Sequence, residues 1–174
     1  MSSCKWRQIP YRVWQVWAGL RPRLSPADLE EVARWLSPQA FDLWQRQDIR
    51  DRAHALRVMR KLQQEGFGDR VLMQAALLHD VGKVVAPLRL WHRVVWVLAE
   101  WVPWVRAWLV HPHGWRRPFW VLAEHPRLGA ELAQKAGCDP QVVWLIAHHQ
   151  DPIPPQGDEQ AKRLQRLRRA DEQS

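Results

Sequence analysis

The chain has 174 residues, with 26 Lys and Arg against 18 Asp and Glu and a formal charge of +8. That length suits one domain with a sizeable core, and the charge favours an anionic partner such as a nucleotide, a nucleic acid or a lipid headgroup. Thirteen prolines against eight glycines, with no sustained apolar/polar alternation, exclude a β-rich architecture and predict an all-α fold of helices joined by proline-punctuated turns.

Two cysteines, Cys4 and Cys138, form neither a metal-type spacing nor a disulfide framework, which fits a reducing cytosol. The opening "MSSCKWRQIPYRVWQVW" mixes charges with tryptophans and lacks the apolar run of a secretory signal, so the expected location is cytoplasmic. Residues 4–20 carry Trp6, Tyr11, Trp14, Trp17 and Leu20 at helical spacing, an aromatic face fit to dock on the domain or to lie on a membrane. "SPADLEEVARWL" then opens a helix with Ser25 as N-cap, Pro26 at the first helical position and Asp28 completing a capping box. "SPQAFDLWQRQ" repeats the signal from Ser37, and residues 1–47 are expected to pack on the remainder, residues 48–174.

"DIRDRAHALRVMRKLQQEG" is a helix stopped by Gly66, with His54 on it. "DRVLMQAALLHDVGK" is apolar on nearly every face and should be a central helix, ending on His79 and Asp80 with Lys83 four positions after His79. From 84 to 120 the character changes. Seven of the thirteen tryptophans fall between Trp91 and Trp120, in a stretch whose apolar run is interrupted by Glu100, Pro103 and Arg106. A spanning helix needs roughly 20 largely uncharged residues, so this stretch is expected to be a helical hairpin, serving as a lid over a pocket or dipping into a membrane interface. "HPRLGAELAQKAG" is expected to start a helix at His125, "DPQVVWLIAHHQ" to form another ending on His148 and His149, "DPIPPQG" to be a loop, and a last helix to run from about Asp158 through Asp171. The basic residues are dispersed rather than gathered on a reading helix, so nucleic acid is not an expected partner.

His54, His79, His125, His148 and His149 occupy helices or helix ends, and with Asp80 and Asp171 they form a set of nitrogen and oxygen donors without a cysteine. Singly, each histidine is more often a core or surface residue than a ligand. As a set they suit manganese, iron or zinc in an open site rather than a closed structural zinc. Neighbours on a helix point about 100° apart, so His79 and Asp80 can serve one centre only if other helices deliver the remaining ligands. Lys83 is either a phosphate-facing amine or an exposed cation favourable to the helix C-terminus.

The order His54, His79-Asp80, then Asp171 resembles the HD-domain metallophosphohydrolase superfamily. "HPRLGAEL" and "AHHQ" are similar to segments of its two-metal branches, the HD-GYP phosphodiesterases and the diadenosine tetraphosphate hydrolases. The likeness spans about Asp48 to Asp171, but "PIPPQGDEQ" stands where a glycine-tyrosine-proline signature would, so cyclic-dinucleotide specificity does not carry over. The resemblance implies a helical bundle with a Trp-rich helical insertion at 84–120. Around a first divalent metal it places His54, His79, Asp80 and Asp171. Around a second it places His125 and His149, with His148 as a further candidate, bridged by Asp80. It sets Lys83 beside the substrate phosphate.

The expected reaction is hydrolysis of a phosphate ester or anhydride, of a nucleotide by preference, by metal-activated water with Asp80 and Lys83 as catalytic groups. Arg116 and Arg117 in "GWRRP" are candidates for a phosphate clamp, or else a solvated turn pair. Two other readings are a metal-binding nucleotide sensor with little turnover, and a protein peripheral to the inner face of the membrane.

Overall fold

The computed structural model describes residues 22–152 and 158–174, so the aromatic face expected at 4–20 and most of the "DPIPPQG" loop lie outside the described residues. All described secondary structure is helical: α1 (Pro26–Trp35), α2 (Pro38–Gln45), α3 (Ile49–Gln64), α4 (Arg70–Leu78), α5 (Leu90–Ala99), α6 (Pro103–Leu109), α7 (Arg117–Lys135), α8 (Pro140–His148) and α9 (Glu159–Glu172), with 3-10 turns at Val81–Val85 and Gly114–Arg116.

Local chemistry sets most of these boundaries. At the start of α1 the Asp28 backbone N–H donates to Ser25 Oγ, and the Ser25 N–H donates to the Asp28 carboxylate at 2.7 Å, the reciprocal cap expected from "SPAD". At α2, α3, α4, α8 and α9 the side chains of Ser37, Asp48, Asp69, Asp139 and Asp158 each accept a first-turn backbone N–H, a one-way cap. α3 ends where Gly66 takes φ +85°, letting the Phe67 N–H reach back to the Leu62 carbonyl at 3.0 Å.

α4 is the axis of the molecule. Leu72, Met73, Ala75, Ala76, Leu77 and Leu78 are all fully buried, packed among α1, α3, α8 and α9. Val32 of α1 and Trp44 of α2 belong to the same continuous core as Val58, Leu145 and Leu167.

α7 differs from expectation. It starts at Arg117, eight residues before His125, and carries Pro126 in its interior. An interior proline removes one helical hydrogen bond, leaving the carbonyl four residues back without its usual donor. That carbonyl is Leu122 O, and the His125 ring supplies the missing donor from Nδ1 at 2.9 Å.

The insertion folds as a hairpin of α5 and α6 that closes a small second core of Ala99, Leu109, Phe119 and Leu122. It is fastened to the bundle by Arg93, whose guanidinium grips the buried Asp51 carboxylate of α3 at 2.7 and 2.6 Å. Its outer surface is apolar: among the described residues the large hydrophobic side chains that stand exposed all fall between Trp91 and Trp115. No single described helix is long and apolar enough to cross a membrane.

Candidate metal centre

The site forms where α4 ends. The chain leaves α-helical geometry after Leu78, and the 3-10 turn that follows lies against the backbone of α7. Gly82 makes this approach feasible, since a Cβ there would sit 2.0 Å from the His125 carbonyl oxygen and 2.6 Å from the Gly129 nitrogen. The two glycines of "HDVGK" and "HPRLGA" therefore meet, and their meeting brings Asp80 within reach of His125. The 3-10 turn also alters the expected placement of Lys83. Residues three apart eclipse at three residues per turn, so Lys83 aligns with Asp80 rather than with His79, and its Nζ lies 2.5 Å from Asp80 Oδ2.

Two groups of donors converge, sharing Asp80. In the first, His54 Nε2 is 2.7 Å from Asp171 Oδ1, while His79 Nε2 lies 3.5 Å from the same oxygen and 3.6 Å from Asp80 Oδ2. In the second, Asp80 Oδ1 is 3.1 Å from His125 Nε2 and 4.0 Å from His149 Nε2, and the two imidazole nitrogens are 3.3 Å apart. Both His54–His79–Asp80 and Asp80–His125–His149 bring their ligand atoms close enough together to hold an ion. Asp171 reaches the first group from the last turn of α9, which the buried Leu167 and Ala170 anchor.

The histidine tautomers point the same way. His79, His125 and His149 each place Nδ1 against the backbone carbonyl three residues earlier, Ala76 O at 2.9 Å, Leu122 O at 2.9 Å and Ile146 O at 2.8 Å. A carbonyl only accepts, so Nδ1 carries the hydrogen and donates, which leaves Nε2 as the ligand atom in all three. His79 Nε2 is buried with no hydrogen-bond partner. His125 Nδ1 faces a carbonyl, while its Nε2 faces the Asp80 carboxylate, the His149 Nε2 and the Gln150 amide nitrogen together, and a neutral ring has one N–H to give. Such an arrangement calls for a positive charge among the Nε2 atoms. Two ligands about 2.1 Å from one dication at roughly 90–110° lie about 3.0–3.4 Å apart, and the His125–His149 separation of 3.3 Å falls in that range. The residues present fit a metal.

The electrostatics agree. Burial alone would lower the His79 pKa, but the Asp80 and Asp171 carboxylates outweigh it and raise it to about 9. Burial would raise Asp80, yet Lys83, His79 and His125 hold it well below the usual carboxylate range. His149 is pushed down to about 3 by burial and by its neighbours His79 and His125, so its lone pair stays free at any physiological pH.

The comparison with protein families gives the same answer: the HD domain family model matches residues 52–174. The chain belongs to the HD domain family. No curated protein and no solved structure matches it. HD domains are in general metal-dependent phosphohydrolases, and the matched span includes every candidate ligand from His54 to Asp171 as well as the insertion.

Three candidates stand apart from this HD centre. His148 points outward, its Nδ1 2.6 Å from Asp151 and its ring tilted against that of Trp144, with centroids 4.4 Å apart. The two histidines of "AHHQ" diverge by about 100°, and it is His149 that faces His125 at 3.3 Å while His148 faces Asp151. Arg116 donates to the Trp108 carbonyl at 2.8 Å and covers the Trp108 ring, while Arg117 lies against the Val85 carbonyl at 3.4 Å. Neither arginine touches a member of either donor group. Two contributors lacked a signal in the sequence. Gln150 sets its amide nitrogen 3.3 Å from His125 Nε2, and the Asp51–Arg93 pair ties the insertion to α3 one turn before His54. Asp51 is three residues from His54, but its partner lies 42 positions away in a segment with no matching motif.

Proposed function

We propose that this HD domain hydrolyses a phosphate ester or anhydride, with a nucleotide as the substrate class, using one or two divalent transition-metal ions of the manganese, iron or zinc kind. The observation that carries the reading is the position of Asp80, whose two oxygens face different donor groups: Oδ2 toward His79 and Lys83, Oδ1 toward His125 and His149. A carboxylate so placed suits a bridge between two cations, and the ammonium beside it suits an anionic substrate.

A bound dication supplies a water that ionises near neutral pH and a positive charge for the phosphoryl oxygens. The chain's own residues do the rest. His79, His125 and His149 aim their Nε2 atoms at the centre, each oriented by its own helix, and His79 offers its lone pair there once it gives up its proton. Asp80, kept ionised, can accept a hydrogen bond from the attacking water and orient it. Lys83 holds one donor on Asp80 and has others for a phosphoryl oxygen, offsetting charge as the bond to phosphorus forms and the bridging P–O bond breaks. A pure nucleotide sensor needs neither this lysine nor two complete donor groups.

The test is elemental analysis of purified protein, followed by a panel of nucleotide mono-, di- and cyclic phosphates with added manganese. The expected result is at least one metal per chain and a manganese-stimulated activity that falls by at least about a hundredfold in Asp80→Asn. A metal-loaded protein that binds nucleotides and never turns them over would favour the sensor, and activity indifferent to Asp80→Asn would end the proposal.

A further inference from the structure

The insertion hairpin carries an apolar surface that the metal centre does not use. On α5 and the turn after it the exposed large hydrophobic residues are Trp91, Val94, Leu98 and Trp101, spaced three, four and three apart, which is one stripe of a helix, with the exposed Glu100 beside it. On α6, Trp104 and Trp108 are four apart and share a face, and the Trp108 ring meets the exposed Trp115 at 5.7 Å. The inward side of the same helices is closed by Ala99 and Leu109. Trp104 is 75% exposed. Burying indoles of this kind on a partner removes a large apolar area from water.

Charge selects the partner. With Arg93 held by Asp51 and Arg106 paired with Glu100, the single acid of the segment, at 4.0 Å, residues 84–120 retain an excess of three arginines, Arg89, Arg116 and Arg117. Two of these guanidinium groups lie on tryptophan faces, Arg106 over Trp96 at 4.2 Å and Arg116 over Trp108 at 4.9 Å. A second copy of the chain would meet this patch with the same excess of arginine, because a two-fold interface pairs a surface with itself. Indole beside guanidinium is the composition of the headgroup region, where tryptophan rings sit at the apolar boundary and arginines meet lipid phosphates. α5 has ten residues and α6 seven, both short of the roughly 20 that a spanning helix needs.

We infer that the α5–α6 hairpin is a docking surface for an anionic lipid bilayer, lying in its interface with the Trp91–Leu98–Trp104 face inserted and the arginines at the phosphates. The docking is independent of whether the metal centre hydrolyses nucleotides. It also needs the hairpin held firmly to the bundle, and the Arg93 fork on Asp51 provides that hold.

The experiment is flotation of the full chain with vesicles of phosphatidylcholine alone and of phosphatidylcholine mixed with phosphatidylglycerol, at low and high salt. The protein should float with the anionic vesicles at low salt, with a blue shift of tryptophan emission, and should remain at the bottom with neutral ones. Leu98→Ser/Trp104→Ser alters only exposed side chains. It should retain the helical circular dichroism of the parent and lose about tenfold in partition, and Arg89→Gln/Arg117→Gln should lose about tenfold as well. Three results would overturn the inference: no flotation with anionic vesicles, flotation undiminished in Leu98→Ser/Trp104→Ser, or a concentration-dependent dimer in sedimentation velocity that this variant abolishes. The last outcome would assign the face to a second copy.

Discussion

Pro126 and His79 show how single residues prepare the centre. Pro126 leaves Leu122 O without a backbone donor, and His125 Nδ1 takes that place. In Pro126→Ala the restored N–H competes for the same carbonyl. Metal-free protein should then be at least as stable, by up to about 3 kcal/mol, while metal affinity falls about tenfold as the ring loses its orientation. Melts in chelator and a metal titration separate the two effects. His79 supplies a pH signature. Its folded pKa near 9 lies above the ordinary imidazole value, so its proton stabilises the metal-free fold fully below about pH 6.5, and that contribution disappears as pH rises through about 9. A metal needs the same Nε2 deprotonated, so affinity should climb over this window and binding at neutral pH should release protons. Calorimetry in buffers of different ionisation enthalpy reads the proton count, and absence of proton release would contradict the assignment of His79 as a ligand.

At the scale of elements, close contacts and clamps decide how the pieces meet. Gly82 lies where the 3-10 turn touches α7, and Gly82→Ala puts a methyl group against backbone rather than against a side chain able to move aside. A loss of about 3 kcal/mol or more is expected in denaturant unfolding, together with loss of metal binding. The Arg93–Asp51 fork is a buried ion pair whose rupture strands a carboxylate. Arg93→Ala should cost roughly 3 kcal/mol, whereas Asp51→Leu/Arg93→Met should recover most of that loss. Thermal melts of the two variants check it. The capping box of α1 adds an acid-side signature. Ser25 and Arg60 hold the Asp28 carboxyl down to about 2 against an ordinary 3.8, so its stabilisation is present above about pH 4 and is lost as pH falls toward 2. Asp28→Asn should differ from the parent at neutral pH and converge with it in acid, as read by urea midpoints.

Across the whole molecule, the parts legible in the sequence are those governed by near neighbours. The Ser-Pro starts, the Gly66 stop and the fully apolar α4 follow from capping, left-handed glycine and periodicity, each acting over a few residues. Of the seven donors expected from motif positions, the structure brings His54, His79, Asp80, His125, His149 and Asp171 near one another and leaves His148 apart. What was not legible depends on contacts between distant segments. The helix start expected at His125 lies within α7, because the His125 side chain satisfies the carbonyl that Pro126 leaves open. His148 and His149 look equivalent in sequence, and the packing of α8 on α4 and α7 turns only His149 inward. Arg93 and Asp51 find each other across 42 positions without a motif at either end. By itself the sequence determined an all-helical chain, its caps and the kinds of atoms that would bind a metal, because these follow from short-range backbone chemistry and donor identity. Only the tertiary structure decided which nitrogens converge, which histidine is left outside and which face of the insertion stays uncovered, because those depend on where separate helices cross.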